Sequence, residues 1–314
     1  MFHLSSFHPS MTHLPKGIVH LLLFMLVCHL IACGNNQSAS DKPSMNTGRP
    51  ADRRTLEVAL MPTLDCLPVF IAAERGWFDR DKADIGFKSF QAAMDIDTAL
   101  THGSSDGGVT DLIRVEALRR KGVSLSLWSA LPTYWQLIVN EQARVKEPKQ
   151  LSDKTVAMTR HSATDYFSDT VITEAKTPHE VYRVQINDIH VRLQMLLSKS
   201  VDAAFLPEPQ ATVARNDHHR VLFDSRNSGF SFGVWVWRSR SMNDTEKMRN
   251  IELFKKIYNE ACDSINRYGF RHYADIIVKH CHIENTDVDK IPPVKYKHIS
   301  APRQEDTDKA RHAF

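Results

Sequence analysis

The chain has 314 residues, and its 40 lysines and arginines nearly balance its 37 aspartates and glutamates, which gives a formal net charge of +3 at pH 7. The basic residues are scattered along the chain, so the charge pattern excludes the electrostatic footprint of a nucleic-acid-binding protein. This length is sufficient for one or two domains with an ample hydrophobic core.

The N-terminus carries the pattern of an export signal. Lys16 precedes an almost wholly apolar run at residues 18–32, and small and polar residues follow at once. The run is about 15 residues long, shorter than the ~20 that a permanent membrane-spanning helix needs. Cys33, directly after Leu-Ile-Ala, resembles the cysteine of a bacterial lipobox, which implies cleavage before it and acylation of its thiol. A plain signal peptide or an uncleaved anchor would share the apolar run.

We therefore predict a lipoprotein signal peptide at residues 1–32 and lipidation at Cys33. Residues 33–54 are polar and show no periodicity, which predicts a flexible tether. A chain exported and tethered in this way works in the cell envelope, anchored by lipid on the periplasmic side or the outer face of a membrane.

From residue 56 onward, short apolar runs alternate with stretches of helical periodicity. The runs predict strands at residues 56–61, 85–90, 107–110, 124–130, 135–140, 155–159, 181–186, 202–206, 221–223 and 232–237. Helices are predicted at residues 68–77, 95–103, 111–120, 162–174, 190–197, 251–268 and 273–281. Asp95 or Asp97 is expected to cap the second helix, and Ser162 or Thr164 the fourth.

Strands that alternate with helices imply βαβ units and mostly parallel sheets, and therefore an α/β fold. Residues 141–154 are polar and contain Pro148, which indicates a crossing between two groups of such units. Two α/β lobes joined by crossings enclose a cleft, and a cleft of this kind is the usual place for a small ligand.

Four segments, in this order and spacing, resemble the solute-binding proteins of ABC importers. Residues 60–78 resemble the family's first strand, ligand loop and A-x-E-x-G-x-F helix end. Residues 107–111 resemble its third strand, and residues 151–157 the entry to its second lobe. Residues 200–209 resemble its G-x-x-D-A-x-x-x-x-E-P strand end, with Ser200 in place of the usual glycine.

The most similar branch is the NMT1/THI5-like one, which has the type II periplasmic-binding-protein fold and serves nitrate, alkanesulfonates, taurine and thiamine-pyrimidine precursors. The resemblance implies a lobe one made of residues 55–150 and 230–299 and a lobe two made of residues 151–229. We expect the charged stretch at residues 300–314 to be a frayed tail. The resemblance further implies a monomer that binds a small molecule without a cofactor and delivers it to an ABC permease and its ATPase.

The ends of strands and the N-termini of helices line such clefts, and the free N–H groups there favour anions. The candidate ligand-binding residues lie in three loops and at one strand end: Thr63, Asp65 and Cys66; Thr110 and Asp111; His161, Ser162 and Thr164; and Glu208. Each could instead be a turn residue, a helix cap or a solvated acid. Tyr134 and Trp135 could stack on a flat ligand, but aromatic residues at such places more often fill the core.

The charges among these candidates bear on the ligand. Several carboxylates argue against bare nitrate or sulfate and would suit a ligand with an amine, a pyrimidine or a zwitterionic head. This argument is lost where the acids pair with Arg114 or Arg160.

Of the five cysteines, Cys66, Cys262 and Cys281 remain after the signal peptide and the lipidation site. Cys262 and Cys281 lie near the same C-terminal helical region, so they are the candidate disulfide pair. His280, Cys281 and His282 are adjacent, and neighbours on a helix point in different directions, so we expect no metal site there.

Nucleotide-binding and α/β-hydrolase motifs are absent from the sequence. Two alternatives to a transport receptor remain: a thiamine-pyrimidine or menaquinone-type synthase on the same fold, and a solute sensor without a transporter. Such synthases are mainly cytoplasmic, so the lipobox counts against them.

Overall fold

The computed structural model describes residues 55–313. The predicted signal peptide, the lipidation site Cys33 and the tether lie outside this range. None of the helices in the described range is both long enough and apolar enough to cross a membrane.

Within residues 55–313, ten strands form two five-stranded sheets. In chain order they are β1 (Leu56–Leu60), β2 (Ile85–Ser89), β3 (Gly107–Asp111), β4 (Leu125–Ala130), β5 (Trp135–Val139), β6 (Thr155–Met158), β7 (Tyr182–Gln185), β8 (Ala203–Pro207), β9 (Arg220–Asp224) and β10 (Gly233–Arg238). Each strand matches a predicted one to within two residues at either end.

The described part of the chain also contains twelve α-helices: α1 (Leu67–Glu74), α2 (Trp77–Arg80), α3 (Ala93–His102), α4 (Leu112–Arg120), α5 (Ala163–Ala175), α6 (Ile189–Leu197), α7 (Gln210–Asn216), α8 (Ser239–Met242), α9 (Thr245–Tyr268), α10 (Ala274–Cys281), α11 (Asn285–Val288) and α12 (Gln304–Arg311). The predicted caps of α3 are wrong: the helix begins at Ala93, so Asp95 and Asp97 lie inside it. Ser162 does cap α5, with its side chain accepting a hydrogen bond from the N–H of Thr164.

The two sheets repeat one arrangement. The first sheet has the order β2-β1-β3-β10-β4, and the second has the order β7-β6-β8-β5-β9. In each, three strands run parallel, and a fourth, β10 or β5, runs antiparallel to both of its neighbours. Helices α5, α6 and α7 connect the strands of the second sheet. The predicted α/β fold with two lobes and mostly parallel sheets is confirmed.

The chain crosses between the lobes earlier than predicted. β5 pairs with β8 and β9, so residues 135–150 belong to lobe two and the first crossing lies at residues 131–134. The polar stretch at residues 141–154 instead joins β5 to β6 within lobe two, through the short 3₁₀ turns Glu141–Ala143 and Pro148–Leu151. The return crossing lies between β9 and β10.

The two crossings run side by side. Leu131 N–H donates to the carbonyl oxygen of Gly233 over 2.9 Å, and Trp135 N–H donates to Ser225 Oγ over 2.9 Å. Gly233 is required here by close approach, because a Cβ at this position would lie 2.2 Å from Thr133 Oγ1.

The core of lobe one is closed by α9, whose buried face packs on β10. Trp235 and Trp237 of β10 are wholly buried, and the ring of each meets Phe254 of α9 edge-on with centroids 5.2 Å apart. Aromatic pairs at this separation add stability beyond the area that they bury.

The predicted frayed tail at residues 300–314 is wrong over most of its length, because residues 304–311 form helix α12. Asp306 is wholly buried; its Oδ1 accepts the N–H of Ser231 over 3.0 Å and pairs with Arg303 over 2.7 Å. Apolar periodicity could not predict this helix, because a buried charge, Asp306, holds it in place.

Candidate functional site

A cavity of about 80 Å³ lies between the two lobes. Lobe one lines it with the loop after β1 and the end of β3, and lobe two with the loop after β6, the start of α5 and residues of α6. Six of the candidate residues line it: Thr63, Asp65, Thr110, Asp111, Ser162 and Thr164. The lobes touch beside the cavity, where Leu64 N–H donates to the carbonyl oxygen of Glu208 and Gln210 Nε2 donates to that of Pro62.

Two of the other candidates, Cys66 and His161, do not line this cavity. Cys66 is wholly buried, and its Sγ accepts the N–H of Met61 over 3.4 Å, so the thiol packs into the core of lobe one. His161 is exposed, with φ at +55°, and its backbone N–H donates to Asp165 Oδ2 over 2.8 Å. The corresponding predictions of ligand contact are therefore not supported by the placement of these two side chains.

Glu208 also lies outside the cavity, in a separate small pocket that Asp65 shares. Its Oε1 accepts the hydroxyl of Tyr134 over 2.7 Å and pairs with Arg215 over 2.8 Å. Its Oε2 accepts the N–H and the hydroxyl of Thr212. Both oxygens are thus bonded within the protein, so Glu208 holds the end of β8 against α7 rather than facing the cavity.

Asp111 links the two lobes. It caps α4, with Oδ1 accepting the N–H of Arg114 over 3.0 Å, and the same oxygen accepts the N–H of Ala163 in the first turn of α5 over 3.1 Å. Burial raises the pKa of Asp111 to about 6, although the charge of Arg114 opposes the change. A carboxylate of the protein therefore occupies the helix N-terminus at which we predicted an anionic group of the ligand.

Asp65 lies in the turn before α1 and is 8% exposed. Its oxygens accept hydrogen bonds from two hydroxyls, those of Thr133 and Thr63. Within residues 55–313, no basic side chain forms an ion pair with it. Burial is the main cause that raises its pKa to about 6.

Arg192, a cavity residue on α6 that is 2% exposed, was not among the predicted site residues. Its guanidinium donates to the carbonyl oxygens of Ile186 and Phe205 and to the hydroxyl of Thr159. No carboxylate in the described part of the chain forms an ion pair with it, and burial lowers its pKa to about 10. Helical spacing could have revealed it, because Arg192 lies three residues after Ile189 and four before Leu196, which puts it on the buried face.

The lining also includes four further polar or aromatic side chains, beside apolar residues: Thr133, Trp135, Thr159 and Asn187. We expected Trp135 to fill the core; it is instead half-buried and contributes to the cavity wall. Thr110 supplies a buried hydroxyl that has no hydrogen-bond partner among residues 55–313. The cavity therefore offers hydrogen-bonding groups, one aromatic ring and charges of both signs.

The predicted disulfide between Cys262 and Cys281 is not formed, because both thiols are free and buried. Cys262 interacts with Tyr258, one turn earlier on α9, whereas Cys281 lies towards Asp65 and Cys66. His280, beside Cys281, bonds through Nε2 to Glu74 over 2.8 Å and stacks on Phe70.

Solved structures of periplasmic binding proteins share this architecture. The periplasmic aliphatic sulphonate binding protein SsuA from Escherichia coli superposes with a TM-score of 0.67 at 15% identity, over 83% of this chain and 86% of that one. The alkanesulfonate-binding protein SsuA from Xanthomonas axonopodis pv. citri, bound to MOPS, gives 0.67 at 16%, over 84% and 92%. The periplasmic nitrate-binding protein NrtA from Synechocystis PCC 6803 gives 0.65 at 12%, over 81% and 74%.

Identities this low show a common fold and no more. No curated protein sequence matches the chain significantly. The sequence model of the family described as NMT1/THI5 like, however, matches residues 63–232, which is more than half of the chain. This confirms the resemblance expected from the sequence. The chain belongs to the NMT1/THI5-like family and has the two-lobed fold of periplasmic binding proteins.

Proposed function

We propose that the protein is a solute receptor that binds a small molecule between its lobes and delivers it to an ABC permease. The observation that carries this proposal is the shared cavity, to which lobe one contributes Asp65 and Thr110 and lobe two contributes Trp135 and Arg192. A ligand that bonds to both walls stabilises the arrangement in which they face each other, and such differential binding is what shifts a protein between conformations.

The chemistry of the cavity favours binding over catalysis. Cys66, which follows the cavity residue Asp65 in the chain, faces the core of lobe one. Burial raises the pKa of its thiol well above the usual value. The hydroxyl of Ser162 is bonded to the carbonyl oxygen of Thr159 over 2.6 Å rather than to a base. Nucleophilic catalysis needs a nucleophile beside a base that activates it. We therefore propose a receptor rather than a synthase.

We further propose that the chain is exported and held at the membrane by a lipid on Cys33. The apolar run, the lipobox-like cysteine and the polar tether support this part of the proposal. A periplasmic location agrees with the names of the sulphonate- and nitrate-binding proteins that share the fold.

Binding is tested by calorimetry and tryptophan fluorescence with nitrate, methanesulfonate, taurine, a 4-aminopyrimidine and amino acids as probes. At least one probe is expected to bind and to change the fluorescence. Trp135→Phe should reduce that change while the heat of binding persists, because Trp135 is the cavity tryptophan. Binding with no contribution from Trp135 would place the ligand elsewhere and contradict the proposal.

Delivery is tested in cells. Deleting the gene should abolish uptake of the bound probe, and the wild-type gene should restore it. Uptake that is unchanged by the deletion, with binding intact, would indicate a sensor without a transporter.

A further inference from the structure

Asp65 and Arg192 differ from the other buried charges within residues 55–313. The other buried acids in residues 55–313 have cationic or backbone partners: Asp106 pairs with Lys247, Asp165 with Arg183, Glu208 with Arg215, Asp306 with Arg303, and Asp111 accepts two backbone N–H groups. Asp65 and Arg192 form no ion pair within the described residues, and each bonds only to neutral groups.

These two charges have opposite signs, come from different lobes and line the same cavity. Asp65 follows the first strand of lobe one, whereas Arg192 lies on α6 of lobe two. Burying a charge without a counter-charge is unfavourable unless something pairs with it, so each wall of the cavity lacks one ionic partner. Burial raises the pKa of Asp65 and lowers the pKa of Arg192, which agrees with this lack, although the charge of Asp188 opposes the change at Arg192.

Both groups also retain capacity for hydrogen bonds. A carboxylate has about four acceptor positions, of which Asp65 uses two. A guanidinium has five N–H donors, and four contacts are made by Arg192, to Ile186 twice, to Phe205 and to Thr159. The hydroxyl of Thr110, which no other described residue bonds, adds a third polar group.

We propose that the ligand is a small dipolar molecule whose anionic group pairs with Arg192 and whose protonated amine pairs with Asp65. This inference rests on the proposed function and gives its ligand a chemical class. Such a molecule supplies both missing counter-charges at once and connects the two lobes. A simple anion satisfies only Arg192 and leaves Asp65 as a buried negative charge nearby, while Asp111 already occupies the N-terminus of α5.

The test compares molecules that differ only in charge. Calorimetry at pH 7.5 would measure glycine, β-alanine, 4-aminobutyrate and 5-aminovalerate, which vary the separation of the two charges. Each is set against its partners lacking one charge, such as butyrate and butylamine for 4-aminobutyrate. At least one amino acid should bind tenfold or more tightly than both of its partners.

Nitrate and methanesulfonate complete the probe set and separate two kinds of failure. If either anion binds tightly and none of the amino acids binds, the proposal of a dipolar ligand is overturned, whereas the proposed receptor function is retained. If no probe binds, including the amino acids, both are overturned.

Variants test the two residues. Asp65→Asn keeps the shape and removes the charge, so the amino acid should lose its advantage over the matched carboxylate by tenfold or more. Asp306→Asn, a buried acid on α12, is the control and should leave that ratio unchanged. Arg192→Lys keeps the charge and should weaken binding of all anionic probes together. An unchanged ratio in Asp65→Asn would overturn the assignment even if variants of Arg192 fail to fold.

Discussion

Asp111 of lobe one accepts a hydrogen bond from the backbone N–H of Ala163 of lobe two over 3.1 Å. The same carboxylate oxygen caps α4 by accepting the N–H of Arg114. A single oxygen atom therefore accepts hydrogen bonds from the first turns of two helices that belong to different lobes. The protein thus contains a link between its lobes that does not depend on a ligand.

Asp111→Ala is expected to lower the free energy of unfolding by about 1–2 kcal/mol, because it removes a helix cap and a buried hydrogen bond. It should also increase the radius of gyration in small-angle X-ray scattering, because the link between the lobes is lost. Asp244→Ala is the control: Asp244 caps α9 through Glu246 and Lys247 and makes no contact between lobes. A radius of gyration that changes equally in both variants would refute the link.

The stability of the protein is expected to depend on the protonation of Asp65. Burial raises its pKa from 3.8 to about 6, so between about pH 4 and 6 the folded protein holds a proton that the unfolded chain has released. The stabilisation from this proton is complete below about pH 4 and is lost as the pH rises through 6. Asp65→Asn should therefore be more stable than the wild type at pH 7.5, by up to roughly 3 kcal/mol, and the difference should vanish near pH 4.

Urea denaturation at the two pH values measures this difference. Asp81→Asn provides a control of opposite sign, because the hydrogen bond from Arg80 lowers the pKa of Asp81. The ionised Asp81 contributes stability at neutral pH that is lost in acid, so its replacement should destabilise the protein at pH 7.5 and matter less in acid. The prediction for Asp65 is wrong if the wild type is the more stable protein at pH 7.5.

The buried acid of α12 can be compared with an exposed one on the same helix. Asp306→Ala leaves the N–H of Ser231 without its acceptor and should lower the free energy of unfolding by about 1–3 kcal/mol. Asp308 pairs with Arg311 at the surface, so Asp308→Ala should lower the free energy of unfolding by less than about 0.5 kcal/mol. Equal losses in the two variants would show that α12 is not held by Asp306.

The three cysteines of the described chain are expected to be free thiols, which a thiol reagent can count. In a chain that begins at Gly34, none should react with a thiol reagent while folded, since all three are buried and burial raises the pKa of each. In urea without reductant, all three should react. If only one thiol reacts in urea, Cys262 and Cys281 form the disulfide that was predicted from the sequence.

Lipidation is predicted from the sequence and is tested by labelling cells with radioactive palmitate. The wild-type chain should carry the label and fractionate with membranes, whereas Cys33→Ala should carry none. Cys28→Ala is the matched control, because Cys28 is expected to leave with the signal peptide and its loss should not affect labelling. Label retained in Cys33→Ala would exclude this cysteine as the anchor.

Local sequence patterns predicted the elements well, because strand and helix periodicity and caps such as Ser162 depend on neighbouring residues. They did not predict which sheet would receive β5, because that depends on pairing with β8 and β9, which lie more than 60 residues away. The site residues likewise divide into those that local patterns predicted and those that depend on distant contacts. Asp65 and Asp111 were predicted from their positions at strand ends, but Arg192 was not, because its burial depends on contacts such as that with Phe205 on another strand.

The position of β5 has a practical consequence for dissecting this family. Every strand of the second sheet comes from one unbroken stretch, residues 135–224, inserted between two parts of lobe one. Chimaeras that exchange this lobe between relatives should therefore be joined within residues 131–134 and 225–232, where the two connections lie next to each other. A junction within residues 141–154 would separate β5 from β8 and β9 and yield a hybrid with an incomplete sheet.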